Sequence, residues 1–220
     1  MSIWSGSLMR QSALLFGAAY SALALAAPAP QLSQLPPVIP LQQELVAVDY
    51  FREGRQSGCG LRITGEAEEY VWINVLVSVF LKETGQTFGV FKVSAKTMDM
   101  KDGAPLLRDG KISYTSIGKI HKAWLKTASG MQPDLHKSGK LPHIDGYMAS
   151  LEFGSAMELL VAIPQASFRV GVNRTADETE EIFEFSKPIN PNEANKLLAC
   201  MKNLRKSIED QLSGKSPRDL

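Results

Sequence analysis

The strongest constraint on the fold of this chain is the alternation of residue types between positions 71 and 82. The odd positions are all aliphatic and mostly β-branched, whereas the even positions are mixed; the odd set is Val71, Ile73, Val75, Val77, Val79 and Leu81. Successive side chains of a strand point to opposite faces, so a period of two indicates a strand with one buried face. β-branched residues also suit a pleated surface better than a helix. The stretch therefore predicts a long β-strand.

A second strand follows at positions 87 to 96, and the parity of its apolar residues indicates how the two strands pair. A three-residue loop, Glu83-Thr84-Gly85, sets Val77 opposite Phe91. A two-residue loop would set Val77 opposite Lys92, and such a slip moves a whole apolar face into water. The longer loop also puts its glycine where a left-handed backbone is needed. We therefore predict a hairpin with the three-residue loop.

Further strand-like segments are spread over residues 44–212, which we interpret as a single β-rich domain. Each segment is short and bounded by turn-forming residues; they cover positions 44–51, 59–65, 111–127, 147–153 and 181–185, with a loop predicted at 98–110. Strands and helices do not alternate regularly, which disfavours a parallel sheet. The pattern predicts a mainly β fold, an antiparallel β-sandwich or open barrel with one C-terminal α-helix.

One segment, residues 156–163, is ambiguous because a run of eight residues that is apolar except for Glu158 fits either a helix or a strand. Ser155 and Glu158 have the spacing of a helix capping box. A strand would instead pair with residues 168–172 across a turn at Pro164-Gln165. We predict the strand.

The C-terminal helix has the clearest boundary signals in the chain. Asn190 is a favourable N-cap residue and Pro191 suits the first helical position. An apolar stripe at helical spacing follows, formed by Ala194, Leu197, Leu198, Met201, Leu204 and Ile208. Residues 213–220 are predicted to be a disordered tail.

Residues 1–26 have the pattern of a secretory signal peptide. Arg10 precedes an alanine-rich apolar run, and Ala24-Leu25-Ala26 supplies a small-x-small cleavage pattern. The run is short for a membrane span, which takes about 20 apolar residues. We expect cleavage, no stable membrane span afterwards, and export to the periplasm or the exterior. Residues 27–43 are proline-rich and predict an extended linker or strand lead-in.

The cysteine count and the charge balance narrow the range of functions. An exported protein with two cysteines, Cys59 and Cys200, is predicted to form one disulfide. The alternative is a reactive thiol, but there is no C-x-x-C motif to favour it. Lys and Arg number 24 against 23 Asp and Glu. This balance argues against a nucleic-acid partner and against attachment to anionic membranes by charge.

The candidate binding site is the longest polar stretch, residues 129–146. It contains Asp134, His136, His143 and Asp145, and Trp124 precedes it closely. Loops on a rigid scaffold commonly carry binding. Imidazole and carboxylate groups can also ligate zinc or another divalent ion, but the spacing matches no standard metal motif. We predict a binding site formed by these five residues, with a metal site of the four acids and histidines as the alternative.

The sequence contains no motif that would hold a cofactor. A nucleophile elbow, a phosphate-binding glycine loop and a dinucleotide fingerprint are all missing from the sequence, so no cofactor is expected. The sequence favours a non-catalytic binding or protein-interaction module whose partner is another envelope or extracellular protein. The alternative is a metal-dependent or hydrolase-like enzyme that uses residues 129–146.

The signal-peptide hypothesis predicts that the exported protein begins at Ala27. N-terminal sequencing of protein recovered from the exported fraction measures this directly, because signal peptidase cuts after the small-x-small pattern. An exported product that still begins at Met1 would contradict the hypothesis.

Overall fold

The structure is a computed structural model that describes residues 38–40, 42–67, 71–116, 119–137, 146–174 and 180–213. The predicted signal peptide, residues 27–37 of the predicted linker and residues 214–220 of the predicted tail lie outside the described residues. In chain order the strands are β1 (Val38–Pro40), β2 (Gln42–Arg52), β3 (Arg55–Ala67), β4 (Val71–Leu81), β5 (Thr87–Met98), β6 (Met100–Lys101), β7 (Ala104–Pro105), β8 (Leu107–Arg108), β9 (Lys111–Ile112), β10 (Tyr114–Ser116), β11 (Lys122–Thr127), β12 (His136–Lys137), β13 (Tyr147–Leu151), β14 (Phe168–Asn173) and β15 (Glu180–Phe185). The helices are α1 (Phe153–Ala162) and α2 (Pro191–Leu212).

Most strands belong to two sheets. The larger sheet has the order β12-β13-β5-β4-β3-β2, with β10 also paired to β5, and the smaller has the order β1-β15-β14-β11. All pairs are antiparallel except β1 with β15, which is parallel. Within the described residues neither sheet closes into a barrel. The predicted mainly β, antiparallel fold with a C-terminal helix is confirmed.

The predicted hairpin is also confirmed, including its loop. Strands β4 and β5 pair Val77 with Phe91. The ladder continues to Lys82, whose N–H donates to the carbonyl of Gln86 at 2.8 Å, which leaves three residues in the loop. Gly85 has a φ of +83°, a conformation that glycine adopts without steric cost. The parity of the apolar residues therefore determines the register.

One hydrophobic core joins the two sheets and both helices. The inner face of the larger sheet contributes a row of fully buried side chains, and the smaller sheet adds a second row; together they include Leu61, Ile63, Ile73, Val75, Val77, Phe91, Val93, Leu125, Val170, Val172, Phe183 and Phe185. Both helices contact the larger sheet, α1 at β4 and β5 and α2 at β2 and β3. The four-stranded sheet and the helices thus protect this core from water.

Helix α2 is attached to the larger sheet by the predicted disulfide. Cys59 of β3 and Cys200 of α2 are bonded, with their Cα atoms 5.8 Å apart, within the usual range for a disulfide. The bond closes a loop across a sequence separation of 141 residues. In the chain-entropy model a loop of this length contributes about 5 kcal/mol to stability, as an upper figure.

The ends and faces of α2 agree with the sequence except at one position. The side chain of Asn190 caps the helix by accepting a hydrogen bond from the N–H of Asn192 at 2.9 Å. Leu197 and Leu204 are buried as predicted, but Leu198 is 63% exposed. Leu198 follows the buried Leu197 by one residue, about 100° around the helix, and so faces away from the sheet.

No helix in the described part of the chain is long and apolar enough to cross a membrane.

The prediction of a strand at residues 156–163 is wrong, because these residues belong to α1. Ala156, Leu159, Leu160 and Ile163 are buried, which is the i, i+3, i+4, i+7 spacing of one helix face. The helix begins at Phe153, with Glu152 at the N-cap, so Ser155 and Glu158, which have the spacing of a capping box, lie inside the helix. Strand β14 pairs instead with β11 and β15.

Two strands begin within residues 27–43, the segment predicted to be an extended linker or strand lead-in. Strand β1 lies within the proline-rich segment, and β2 begins at Gln42. Strand β1 is at the edge of the smaller sheet, where a missing proline N–H leaves no gap in the ladder. A proline-rich composition therefore does not prevent this segment from pairing.

Two short hairpins replace the loop predicted at residues 98–110. Strands β6 and β7 are joined by Asp102-Gly103, and β8 and β9 by Asp109-Gly110. All four turn residues have positive φ angles, from +52° to +79°, as two-residue type I′ turns require. Asp-Gly between extended residues is the strongest short-range signal for such a hairpin.

The two hairpins and the β5–β10 pair meet at a three-way junction of Asp99, Leu106 and Ser113. The N–H of Asp99 donates to Ser113, that of Ser113 to Leu106, and that of Leu106 to Asp99, at 2.8 to 3.0 Å from carbonyl oxygen. The Asp99 carboxylate also accepts from the hydroxyls of Ser113 and Thr115. These two side-chain hydrogen bonds hold the pKa of Asp99 below its ordinary value, and the bond from Ser113 has the larger effect.

The register predicts a large loss of stability for one aspartate substitution in the hairpin and almost none for another. Val77 is fully buried, so Val77→Asp places an unpaired carboxylate in the core and should lower the free energy of unfolding by several kcal/mol, roughly 3 or more. Urea unfolding followed by circular dichroism measures this loss.

Lys92→Asp is the matched control, because Lys92 is half-buried on the opposite face of the sheet. We expect it to change the free energy of unfolding by less than about 1 kcal/mol. Comparable losses from both variants would contradict the register.

Candidate functional site

Two of the five predicted site residues, Trp124 and Asp134, line one cleft of about 560 Å³. His136 is on β12 with an exposed side chain and does not line this cleft. His143 and Asp145 lie outside the described residues. The lining residues are Lys122, Ala123, Trp124, Gln132, Pro133, Asp134, Leu135, Tyr147, Asn173 and Glu180. The cleft therefore extends around β11, the edge strand of the smaller sheet.

Trp124 is held in one position by its neighbours on the smaller sheet. It pairs with Gly171 across the β11–β14 ladder. The indole covers the glycine so closely that a Cβ atom on Gly171 would lie 2.1 Å from Trp124 Cε2. Because Gly171 has no side chain, the ring reaches across β14, and its Nε1–H donates to Glu180 Oε1 on β15 at 2.5 Å.

The alternation along β11 decides which side of the sheet Trp124 occupies. Ala123 and Leu125 are buried in the core, and Trp124 between them points to the opposite, solvent-facing side. A large aromatic side chain on that side is half-buried only because it lies against Gly171 and Glu180. The cleft consequently has an aromatic wall that is ordered before any ligand binds.

Tyr147 contributes a second aromatic wall from the larger sheet. Its ring meets Phe91 edge to face, with ring centroids 6.4 Å apart. Burial raises the pKa of the Tyr147 phenol above its ordinary value. A protonated phenol can donate a hydrogen bond, and the shift extends that protonated state to higher pH.

The charged groups around the cleft are of both signs. Asp134 and Lys122 are exposed, whereas the carboxylate of Glu180 accepts from the Trp124 indole. Aromatic walls with a few polar groups at the rim are typical of sites that bind a ligand or a protein side chain. The arrangement offers hydrogen-bond donors, acceptors and an apolar surface within one concave region.

No group of three or more His, Cys, Asp and Glu side chains within the described ranges is arranged to hold a metal ion. Because His143 and Asp145 lie outside those ranges, the alternative metal site stays a prediction.

Sequence reasoning missed Gly171, Tyr147 and Glu180. Tyr147 falls just beyond the predicted polar stretch, and its strand was expected. Glu180 follows an acidic stretch that reads as ordinary surface, and nothing in the sequence connects it with Trp124, 56 residues earlier. A glycine inside a strand pattern is a general signal of close approach, and Gly171 was the available indication.

No protein-family model, curated protein or solved structure matches the chain.

The metal alternative predicts tight binding of zinc, which we do not expect. Calorimetric titration with zinc chloride at neutral pH should show no one-to-one site with a dissociation constant below about 1 μM, which corresponds to a binding free energy of about 8 kcal/mol. The control is the double variant His136→Ala, His143→Ala. A tighter site that the double variant loses would favour the enzyme interpretation.

Proposed function

We propose that the protein is an exported, non-catalytic interaction module that binds another envelope or extracellular protein through the Trp124 cleft. The single observation that carries this proposal is the fixed, half-exposed indole of Trp124, held between Gly171 and Glu180. Binding energy at protein interfaces is concentrated in such aromatic anchors, especially tryptophan and tyrosine. An anchor that is already ordered also loses less conformational entropy on binding.

The surroundings of the anchor support a protein partner. Tyr147 adds a second aromatic group whose hydroxyl can donate. Lys122 and Asp134 add opposite charges near the opening. Charges at the rim of an interface chiefly set specificity and association rate, while the aromatic groups supply most of the affinity.

Export is supported by two separate features. Residues 1–26 have the signal-peptide pattern. The Cys59–Cys200 disulfide is a bond that persists in oxidising compartments and is rare in the cytosol. Both features agree with a partner in the envelope or outside the cell.

Site-specific photocrosslinking in the native envelope tests the proposal. Benzoylphenylalanine in place of Gln132, an exposed residue of the cleft, should give one discrete adduct with a partner protein. The same group in place of Lys206, exposed on α2, is the positional control and should give none.

A charge reversal then shows whether the adduct depends on the cleft. Asp134→Lys should lower the yield of the adduct about tenfold, which corresponds to about 1.4 kcal/mol of binding. Glu158→Lys, the same chemical change at an exposed position of α1, should leave the yield unchanged. Equal adducts from both crosslinking positions, or equal losses in both variants, would contradict the proposal.

A further inference from the structure

The outer edge of β2 presents backbone groups that pair with no strand in the described part of the chain. Strand β2 is the last strand of the larger sheet. The N–H of Ala47 points away from β3 and donates to Glu193 Oε2 of α2 at 2.9 Å. Alternate residues of an antiparallel strand direct both N–H and C=O to the same side. Gln43, Leu45 and Asp49 therefore direct their backbone groups outward together with Ala47.

A groove of about 850 Å³ runs along this edge, between β2 and the first turns of α2. Residues 43–46 of β2 form one side, and Asn192, Glu193, Lys196 and Ala199 of α2 are on the other. This part of β2 therefore borders a channel that has two walls.

Glu193 occupies the place that a carbonyl oxygen of a neighbouring strand would take. Its carboxylate accepts from the Ala47 amide and from Lys196 Nζ, and the hydrogen bonds from Lys196 and then from Ala47 lower the pKa of Glu193. The Ala47 amide thus already binds an oxygen acceptor, one supplied from a position 146 residues away. A covered edge of this kind prevents unwanted strand pairing.

We propose that the groove docks an extended peptide segment of a partner protein, which pairs with β2 as an added strand and replaces Glu193 at the Ala47 amide. The backbone groups of β2 recur every second residue, about 6.8 Å apart, and only an extended chain matches that spacing. The groove is lined by residues 43–46 of β2, and the outward edge continues past it to Asp49; from Gln43 to Asp49 the edge spans about 20 Å, enough for a segment of about seven residues. Strand addition of this kind is a common mode of peptide recognition.

A single segment fits the groove better than the β2 edge of a second copy. In each copy the first turns of α2 stand beside β2 as a wall of the groove, so two β2 edges that approach each other would bring the two walls into collision. A lone peptide has no such wall.

The side chains beside the edge indicate the sequence that the segment should have. Glu44 is exposed and Val46 is half-buried, and both lie on the outer face of the sheet. Opposite charges and β-branched pairs across strands are both favourable. On the outer face the segment is therefore expected to carry a lysine or arginine opposite Glu44 and a β-branched or aromatic residue opposite Val46.

The first test uses a displayed library of random heptapeptides, with the strongest binder then made as a synthetic peptide and titrated by calorimetry. Ala47→Pro removes the outward N–H while leaving the β2–β3 ladder intact, because proline is tolerated where the N–H of an edge strand faces outward. This variant should bind the peptide at least about tenfold more weakly, a loss of about 1.4 kcal/mol. Glu193→Ala frees the Ala47 amide and should bind it several-fold more tightly.

The second test changes the peptide and leaves the protein untouched, so it holds even if Ala47→Pro fails to fold. N-methylation of the alternate peptide amides that face β2 should abolish binding, whereas N-methylation of the other alternate set should not. Hydrogen exchange at the amides of Leu45, Ala47 and Asp49 should slow when the peptide binds. Equal effects of the two methylated sets, or unchanged exchange at these amides, would overturn the proposal.

Two further outcomes are also decisive. Failure of the library to yield any peptide that Ala47→Pro weakens would overturn the proposal. A concentration-dependent dimer of the free protein that Ala47→Pro abolishes would assign the edge to a second copy instead. The groove shares no lining residue with the Trp124 cleft, so Asp134→Lys should leave peptide binding unchanged.

Discussion

The attachment of α2 to β3 through Cys59 and Cys200 is the constraint on which the rest of the structure depends most. The bond joins the middle of the helix to the inner face of the larger sheet. From that point the first turn of the helix reaches β2, where Glu193 meets Ala47. The last turn reaches the β4–β5 loop, where Gln211 Nε2 donates to the carbonyls of Lys82 and Glu83. One helix thus contacts a sheet edge, a sheet face and a loop, and the groove beside β2 exists only because the helix is held there.

The two proposed recognition regions have one feature in common, since each lies beside an edge strand. Strand β11 ends the smaller sheet and β2 ends the larger one. An edge leaves backbone donors and acceptors without strand partners, and natural proteins cover such edges with side chains, loops or helices. Beside β11, residues 132–135 line the same cleft as the strand itself. At β2 the carboxylate of Glu193 accepts from the outward N–H of Ala47. The same exposed edges that risk unwanted association are where specific partners can pair.

Local patterns in the sequence predict the central hairpin and α2 because the decisive residues are close together. The three-residue loop sets Val77 opposite Phe91. The side chain of Asn190 caps α2 by accepting from the N–H of Asn192, two residues later. Residues 156–163 are predicted wrongly because an eight-residue run that is apolar except for Glu158 is consistent with both a helix and a strand. What decides between them is packing of α1 on β4 and β5, a distant contact that has no local signal. Trp124 and Asp134, which line one cleft, are also close in the sequence, whereas the Trp124–Glu180 and Glu193–Ala47 contacts join residues that are 56 and 146 positions apart.

The three-way junction of Asp99, Leu106 and Ser113 has a consequence for where the chain can accept insertions. Its hydrogen bonds run in a closed ring next to the pair formed by Met98 and Tyr114, and the two hairpins extend beyond it. Their turns, Asp102-Gly103 and Asp109-Gly110, are exposed and contact nothing in the core. Exposed turns of this kind are where insertions are best tolerated. We therefore expect loops, epitopes or small domains inserted at these turns to leave the supporting sheet unaltered.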